Sequence, residues 1–342
     1  MVKKVNSKDF LESAEKYCIV DVRSPKEYSA GHIPGAINIP LFTDDERAVV
    51  GTLYQKQGRE PAILKGLDIA LGKVFAYVKT LKSAGPSLSV CIHCWRGGMR
   101  SEMMAEVFSK AGYKVFVLEG GYKAYRSFIR GSFSKKVNIL VLGGFTGCGK
   151  SEILRSLAGF GEQVIDLENL ASHKGSVFGA LGQGRQPTNE QFENDLYHIW
   201  EKMDLRKRIW LEDESRSIGK VALPDPVFNQ ISNARLVKVE LDTALRIERL
   251  VSEYARFDKE LLADGLFRIR EGLGGTRYKS ALKSLEESNF NSVVSIVMEY
   301  YDKAYRKAIE KRPDRNILSI GLKGKDPRHH AIEILAIIKR NK

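Results

Sequence analysis

Hydrophobic runs and helical periodicities alternate along this chain. Cys18-Ile-Val-Asp-Val-Arg23 is a short apolar run of the kind that a strand buried on both faces requires. Gly31-His-Ile-Pro-Gly-Ala-Ile-Asn-Ile-Pro40 reads as a turn followed by a second short strand. Further along, the spacing predicts a helix from about Leu67 to Leu81, a strand from Leu88 to Ile92 and, after a loop, a helix from about Ser101 to Lys110. A strand from Lys114 to Leu118 follows. Strand and helix in alternation specify a parallel sheet covered by helices. Between Ser127 and Lys136 the text turns small, polar and basic, which marks a boundary. A new apolar strand, Val137 to Leu142, then enters a glycine-rich loop and a helix pattern from Glu152 to Leu157. Strands near Gln163–Leu167, Arg208–Glu212 and Leu236–Leu241 continue a second doubly wound α/β sheet. From about Thr243 to Glu310 the pattern is mostly helical, with charged exposed faces and a polar loop at Gly272-Leu-Gly-Gly-Thr-Arg277. The expected organisation is two α/β domains, 1–130 and 136–342, the second carrying a helical part at about 243–310, with no internal repeat or low-complexity tract.

Composition narrows the classes. A chain of 342 residues with 43% hydrophobic side chains and a mean hydropathy of -0.26 suits two soluble globular cores and excludes a disordered chain. No window approaches the roughly 18 apolar residues of a membrane span, and the N-terminus has no signal-like apolar stretch, so the expected location is the cytoplasm, with no membrane partner. Four cysteines (Cys18, Cys91, Cys94, Cys148) are too few and scattered for a disulfide framework. Each is core filler or chemistry. The net charge of +13 suits a polyanion such as RNA but is spread over both halves rather than held in a basic tail.

The first candidate site is Val90-Cys-Ile-His-Cys-Trp-Arg-Gly-Gly-Met-Arg-Ser101. Cys94 directly follows a strand; Gly97 and Gly98 let successive backbone N–H groups turn inward, and a helix begins around Met99 to Ser101. The helix N-terminus with Arg96 and Arg100 adds positive charge, so the loop is an anion nest in which a thiolate is favoured. Cys94 is the candidate nucleophile. With Asp21-Val-Arg-Ser-Pro-Lys-Glu-Tyr28 and Gly31-His-Ile-Pro-Gly-Ala36, the stretch resembles the rhodanese family, which implies a cysteine that carries sulfur or selenium. Cys94 and Arg100 enclose five residues, as in the related phosphatases, where the usual sulfurtransferase loop has four. Cys91 and Cys94 also form a C-x-x-C, but no second pair and no suitably spaced histidines complete a zinc site. Cys91 reads as a strand residue that could still resolve an oxidised Cys94.

The second candidate is Gly144-Phe-Thr-Gly-Cys-Gly-Lys-Ser151, a match to G-x-x-x-x-G-K-[ST] between a predicted strand and a predicted helix. Backbone N–H groups of Gly144, Phe145, Thr146, Gly147, Cys148 and Gly149 are expected to wrap a diphosphate, with Lys150 on its terminal oxygens and Ser151 on a Mg²⁺ ion. Glu212, Asp213 and Glu214, at the end of an apolar strand, are candidates for the Walker B position. Strand alternation puts Glu212 and Glu214 on one face and Asp213 on the other.

The two motifs in this order resemble the bacterial tRNA 2-selenouridine synthases. Asp44-Asp-Glu-Arg-Ala-Val-Val-Gly-Thr52, Leu118-Glu-Gly-Gly-Tyr-Lys-Ala-Tyr125, His173-Lys-Gly-Ser-Val-Phe-Gly179, Gln186-Pro-Thr-Asn-Glu-Gln-Phe-Glu193 and Leu211-Glu-Asp-Glu-Ser-Arg-Ser-Ile-Gly219 extend the likeness over nearly the whole chain. The resemblance implies a transferase acting on wobble 2-thiouridine of tRNA, geranylating the sulfur from geranyl diphosphate and then replacing it with selenium from selenophosphate. It implies Cys94 for the selenium step, Gly144 to Ser151 for the geranyl diphosphate, and a minor role for Gly66 in the first step. It further implies no tightly bound cofactor and a selenophosphate-producing enzyme as a partner. Two other readings stay open: a sulfurtransferase or phosphatase fused to a nucleotide-dependent kinase, and a tRNA-binding protein whose loops hold ligands without chemistry.

Overall fold

The computed structural model describes residues 1–312 and 316–341. Two compact units divide the chain: residues 1–132 with 193–198, and residues 133–192 with 199–342.

The first unit runs β1 (Val2–Val5), α1 (Ser7–Ala14), β2 (Cys18–Asp21), α2 (Pro25–Ala30), β3 (Ile37–Asn38), α3 (Asp44–Gln57), α4 (Arg59–Leu71), α5 (Val74–Ser83), β4 (Ser89–His93), α6 (Met99–Lys110), β5 (Lys114–Leu118) and α7 (Gly121–Ser132). Its sheet is wholly parallel, in the order β1-β5-β4-β2-β3, with Cys18 opposite Val90 and Asp21 opposite His93. Covering both faces with helices explains why the central strands read as continuous apolar runs. Val20, Val22, Val90, Ile92, Met104, Phe108 and Val115 form one buried cluster on one face.

Several expectations shift. The single helix predicted over Leu67–Leu81 is two helices, α4 and α5, interrupted at Gly72-Lys73. Lys73 turns aside to bind Glu46 at 2.5 Å, while Tyr77 in α5 donates to the Leu41 carbonyl at 2.8 Å. The helix α3 escaped prediction because its apolar residues are sparse; it is set by its start, where Thr43 and Glu46 form a reciprocal capping box. Strand β1 escaped because it is an edge strand with Lys3 and Lys4 exposed.

Beneath the carboxyl ends of β2 and β4 lies a fully buried ion pair. The Arg23 guanidinium donates to Asp21 through Nε at 3.0 Å and Nη2 at 2.7 Å, and Nη2 also donates to the Gly31 carbonyl at 2.6 Å. The guanidinium carbon stacks 3.9 Å from the Tyr122 ring centroid. Burial by itself raises the Asp21 carboxyl, but His93 and Arg23 outweigh it and hold the group below its ordinary range. Complete burial lowers the His93 pKa, so Arg23 is the permanent charge beside Asp21.

The second unit runs β6 (Asn138–Gly144), α8 (Lys150–Gly159), β7 (Gln163–Ile165), α9 (Leu167–Ala171), α10 (Asn189–Trp200), β8 (Arg208–Glu212), β9 (Ser217–Ile218), β10 (Val221–Ala222), α11 (Asp225–Asn233), β11 (Arg235–Glu240), α12 (Thr243–Tyr254), α13 (Lys259–Arg268), α14 (Arg270–Leu273), α15 (Gly275–Glu286), α16 (Phe290–Ile309), β12 (Ile317–Gly321) and α17 (Pro327–Arg340). Residues 193–198 of α10 belong to the first unit. The main sheet is parallel, β12-β11-β6-β8-β7, and β9 and β10 form a separate antiparallel pair. The polar loop expected at 272–277 is a break of one residue, Gly274, whose φ of 80° no helix tolerates; α15 starts at once. Helices α13 to α16 share a second apolar cluster of Leu262, Leu266, Ala281, Leu285 and Val297.

Asp21→Ala leaves the Arg23 charge buried without its carboxylate, and the expected loss is about 3–5 kcal/mol. It is checked by the urea transition of the full chain; a loss under about 1 kcal/mol would show that the pair relaxes freely.

Candidate functional site

Both candidate loops sit where parallel α/β sheets bind ligands, at the carboxyl ends of central strands. In the first unit Cys94 leaves β4 and is 3% exposed. Gly97 has a φ of +66°, and a Cβ there would meet the Leu118 carbonyl at 2.6 Å and the Gly120 nitrogen at 2.8 Å. Across the contact Gly121, with φ +61°, would bring a Cβ within 2.5 Å of the Cys94 carbonyl. The cysteine loop is thus held backbone to backbone by the turn after β5, with Tyr122 N–H donating to the Cys94 carbonyl at 2.8 Å. Among the described residues, the backbone N–H groups of Trp95, Arg96, Gly97 and Gly98 donate to no other group.

Ser101 is fully buried and donates to the Gly98 carbonyl at 2.9 Å, which leaves its oxygen, 3.3 Å from Cys94 Sγ, to accept from the thiol. Rotation of that hydroxyl would let it donate to a thiolate. Arg96 and Met99 are exposed at the loop and helix start. Arg100 does not present a free charge to the nest: it is clamped by Glu27 at 2.6 and 3.3 Å. Burial pushes the Glu27 carboxyl up, but Arg100, the Ser24 N–H and Arg47 outweigh it and hold it below its ordinary range. Cys91 alternates to the sheet face opposite Val90, Ile92 and Cys94, and complete burial pushes its thiol up to about 12. It packs the core. Gly66, in α4, lies 3.2 Å by its notional Cβ from the Phe42 ring and lines a cavity of about 760 Å³ with Phe42, Tyr54, Ile63, Leu67 and Met99.

In the second unit Gly144 to Gly149 bridge β6 and α8, with Gly147 and Gly149 at φ +86° and +76°. Gly149 is the residue before the first helical turn, so the N-terminus of α8 faces whatever the loop holds. Phe145 is stacked by the Arg246 and Arg306 guanidinium groups at 5.0 and 5.4 Å. The Cys148 thiol is 1% exposed and packs with Leu142 and Ile153, where burial raises its pKa. Arg246 carries the loop from outside: Nε donates to the Thr146 carbonyl at 2.8 Å, while its two terminal nitrogens bind Asp302 at 3.0 and 2.6 Å. Tyr305 accepts from Gly144 N–H at 2.7 Å and donates to Asp213 at 3.0 Å, and Cys148 N–H donates to the Phe145 carbonyl at 3.2 Å, so in this structure these two N–H groups, expected to face a diphosphate, are engaged within the protein. The basic and aromatic helices α12 and α16 therefore spend these side chains on fixing the phosphate loop.

Ser151, at the start of α8, lies 2.8 Å from Glu212 and 3.0 Å from Glu168. Glu168, Glu212 and Glu214 bring carboxylate oxygens within 4.8 Å of one another. Asp213 points the other way, to Arg312 at 2.6 Å, as strand alternation requires. Glu168 is the member sequence reasoning missed; the only signal was an acidic residue soon after the strand Gln163–Ile165. Burial is the first cause raising all three carboxyls: Glu212 well above its ordinary value, and Glu214 to about 8, with Glu168 adding repulsion and Lys150 opposing it. Burial lowers Lys150, but the three carboxylates more than reverse this and keep it charged. Glu212 Oε2 is buried without a partner. An oxygen-only donor set with one orphaned buried carboxylate oxygen fits Mg²⁺, which Ser151 and Glu212 would hold with Glu168 or Glu214.

A cysteine-loop domain of rhodanese type and a parallel α/β domain with a glycine-rich loop between strand and helix are the classes that these folds and loops define. The chain matches the Rhodanese-like domain over residues 6–128 and the tRNA 2-selenouridine synthase AAA domain over residues 137–324. It is 33% identical to the tRNA 2-selenouridine synthase of Sulfurovum sp. (strain NBC37-1), across 87% of this chain and 90% of that protein. To the enzyme of the same name from Salmonella newport (strain SL254) it is 35% identical, across 86% and 89%. Among solved structures, the N-terminal domain of a putative ATP/GTP binding protein from Clostridium difficile 630 is 41% identical over 38% of this chain and 98% of that one, with a TM-score of 0.34. The chain belongs to the tRNA 2-selenouridine synthase family, and is an enzyme. No helix among the described residues is long and apolar enough to cross a membrane.

The acidic cluster makes stability depend on pH in a defined direction. The folded pKa of Glu214 is about 8, above its ordinary 4.5, so the stability it contributes is complete below about 4.5 and is lost as pH rises through about 8. Mg²⁺ needs the ionised carboxylates, so the rise in Tm on adding Mg²⁺ is expected to grow from about pH 7 to about pH 9 by a few degrees. Thermal unfolding with and without Mg²⁺ measures it, and Glu212→Gln is expected to remove most of the increment.

Proposed function

We propose that this enzyme converts wobble 2-thiouridine of tRNA to 2-selenouridine through an S-geranyl intermediate, as a geranyltransferase and selenotransferase. The observation that carries the reading is the division of labour between the loops. Both are cradles of backbone N–H groups, and only one has a nucleophile at its centre. In the first step the thiocarbonyl sulfur forms a bond to the geranyl carbon as the diphosphate leaves. The loop Gly144 to Ser151 and the charged Lys150 are suited to stabilise that leaving group. Mg²⁺ at Ser151 would add charge neutralisation to the diphosphate. In the second step the Cys94 thiolate attacks phosphorus of selenophosphate and breaks the P–Se bond, the selenide released forms a bond to C2 of the uridine as the alkylated sulfur leaves as geranylthiolate, and water frees Cys94 with release of phosphate; an alkylated sulfur leaves more readily than a thiocarbonyl sulfur. The Trp95 to Gly98 backbone suits the oxyanion of that donor, and the five-residue loop gives it more room than a sulfurtransferase loop. Both donors are substrates, and the reading requires no tightly bound cofactor. A selenophosphate-producing enzyme is the partner this chemistry calls for, and the cytoplasm, where tRNA is modified, is the location.

The carboxylate cluster beneath the P-loop also suits nucleotide turnover; release of phosphate from ATP or GTP without tRNA would favour that reading. Cys94→Ala is expected to abolish selenation by at least about a hundredfold and leave geranylation within about twofold, because only the second step uses the thiol. Nucleoside mass spectrometry after incubation of 2-thiouridine tRNA with geranyl diphosphate, then selenophosphate, reads both products. Equal loss of the two would end this assignment.

A further inference from the structure

The cavity of about 760 Å³ in the first unit adjoins the cysteine loop. Its walls come from α3 and α4, through Val50, Tyr54, Ala62 and Ile63, and from the start of α6, through Met99 and Arg100. Those last two are the first residues of the helix and directly follow Gly97 and Gly98 of the loop. Leu41 and Phe42, which also line the cavity, belong to the same buried cluster as Cys94. Two of the lining cations are already paired, Lys4 with Glu102 and Arg100 with Glu27, each at 2.6 Å. The volume lies within the range of small-molecule sites, about 300–1,000 Å³, and has room for a branched ten-carbon chain. Tyr54, Leu67 and Met99 leave large apolar side chains exposed around it. Apolar surface gathered about a cavity in this way is stabilised by an apolar occupant.

We propose that this cavity holds the geranyl group of the S-geranyl-2-thiouridine intermediate during the selenium step at Cys94. The inference rests on the reading of the reaction as geranylation followed by selenation, and adds a subsite for the alkyl group. Burial of the chain keeps the alkylated base at the cysteine loop, so the geranyl group is a handle as well as part of a leaving group. When selenide forms its bond to C2 and the C2–S bond breaks, the electron pair stays on sulfur. Geranylthiolate then takes a proton from water and departs from the cavity as geranylthiol. A 2-thiouridine without the chain gains none of this binding, so the cavity selects the alkylated base over its precursor.

RNA oligonucleotides carrying one S-geranyl- or one S-methyl-2-thiouridine, incubated with the full-length protein and selenophosphate and read by nucleoside mass spectrometry, test this. Both enter directly at the second step, and their thiolates differ little as leaving groups. Wild type is expected to selenate the S-geranyl RNA with a kcat/KM at least about thirtyfold above that for the S-methyl RNA, from burial of the longer chain. Ala62→Phe, which fills the cavity, should lower kcat/KM for the S-geranyl RNA at least about tenfold and leave the S-methyl RNA within about twofold. Retained turnover of the S-methyl RNA shows that the variant is folded. Ile63→Glu places a carboxylate in the apolar wall at a half-buried position and should cause the same selective loss. Where Ala62→Phe loses both substrates, Ile63→Glu decides. Equal wild-type turnover of the two RNAs overturns the subsite, and so does a geranyl preference that neither variant reduces; the two-step reading survives both results. If the S-geranyl RNA is not selenated at all, the two-step reading falls and takes the subsite with it.

Discussion

Charge buried at the carboxyl ends of parallel strands is the constraint on which both halves depend. A parallel sheet covered on both faces delivers its ligand-binding loops to one edge, and groups just beneath that edge are cut off from water. In the first unit Asp21 and Arg23 meet there fully buried, each satisfying most of the other's hydrogen-bonding needs. In the second unit Lys150 faces three carboxylates, and the balance is uneven. Burial first, then repulsion among three acids that one positive charge does not offset, raises the acids' pKa values. The first arrangement is closed and serves structure; the second is open by one or two charges and is the one poised to take a ligand.

The two loops solve the problem of exposing backbone N–H groups in different ways. The Cys94 loop is pinned from behind by another glycine pair, Gly120-Gly121, at distances only glycine allows. That contact depends on a turn some 25 residues later in the chain, which explains the value of Leu118-Glu-Gly-Gly-Tyr as a motif. The P-loop is fastened by side chains instead, Arg246 on the Thr146 carbonyl and Tyr305 on the Gly144 N–H. Arg100, by sequence an anion ligand, is engaged by Glu27, so the charge of the first loop in this structure rests on its backbone and on Arg96.

The sequence made the central strands and both loops legible because burial on two faces and glycine requirements leave strong local marks. Edge elements did not show: β1 carries Lys3 and Lys4, and α3 is defined by its capping box rather than by an apolar stripe. The break at Gly72 was invisible because apolar residues keep helical spacing on both sides of it. Glu212 and Glu214 could be paired by strand alternation, whereas Glu168 joins them only through the fold, from 44 residues upstream of Glu212. Likewise, nothing local distinguishes Arg246, Asp302 and Tyr305 from the solvated charges that share their helices; their partners lie on elements far away in the chain.

A P-loop is a generic device, and what surrounds it decides which phosphate compound it serves. Here the helices that fasten the loop also wall a narrow apolar slot beside Thr146: α12 supplies Arg246 to the loop and Leu250 and Tyr254 to the slot, and α16 supplies Asp302 and Tyr305 to the loop and Val297 and Tyr301 to the slot. Loop geometry and the packing of the slot are therefore coupled through the same two helices. A substitution that re-aims α12 would move the Thr146 carbonyl contact and so disturb the loop that it fastens.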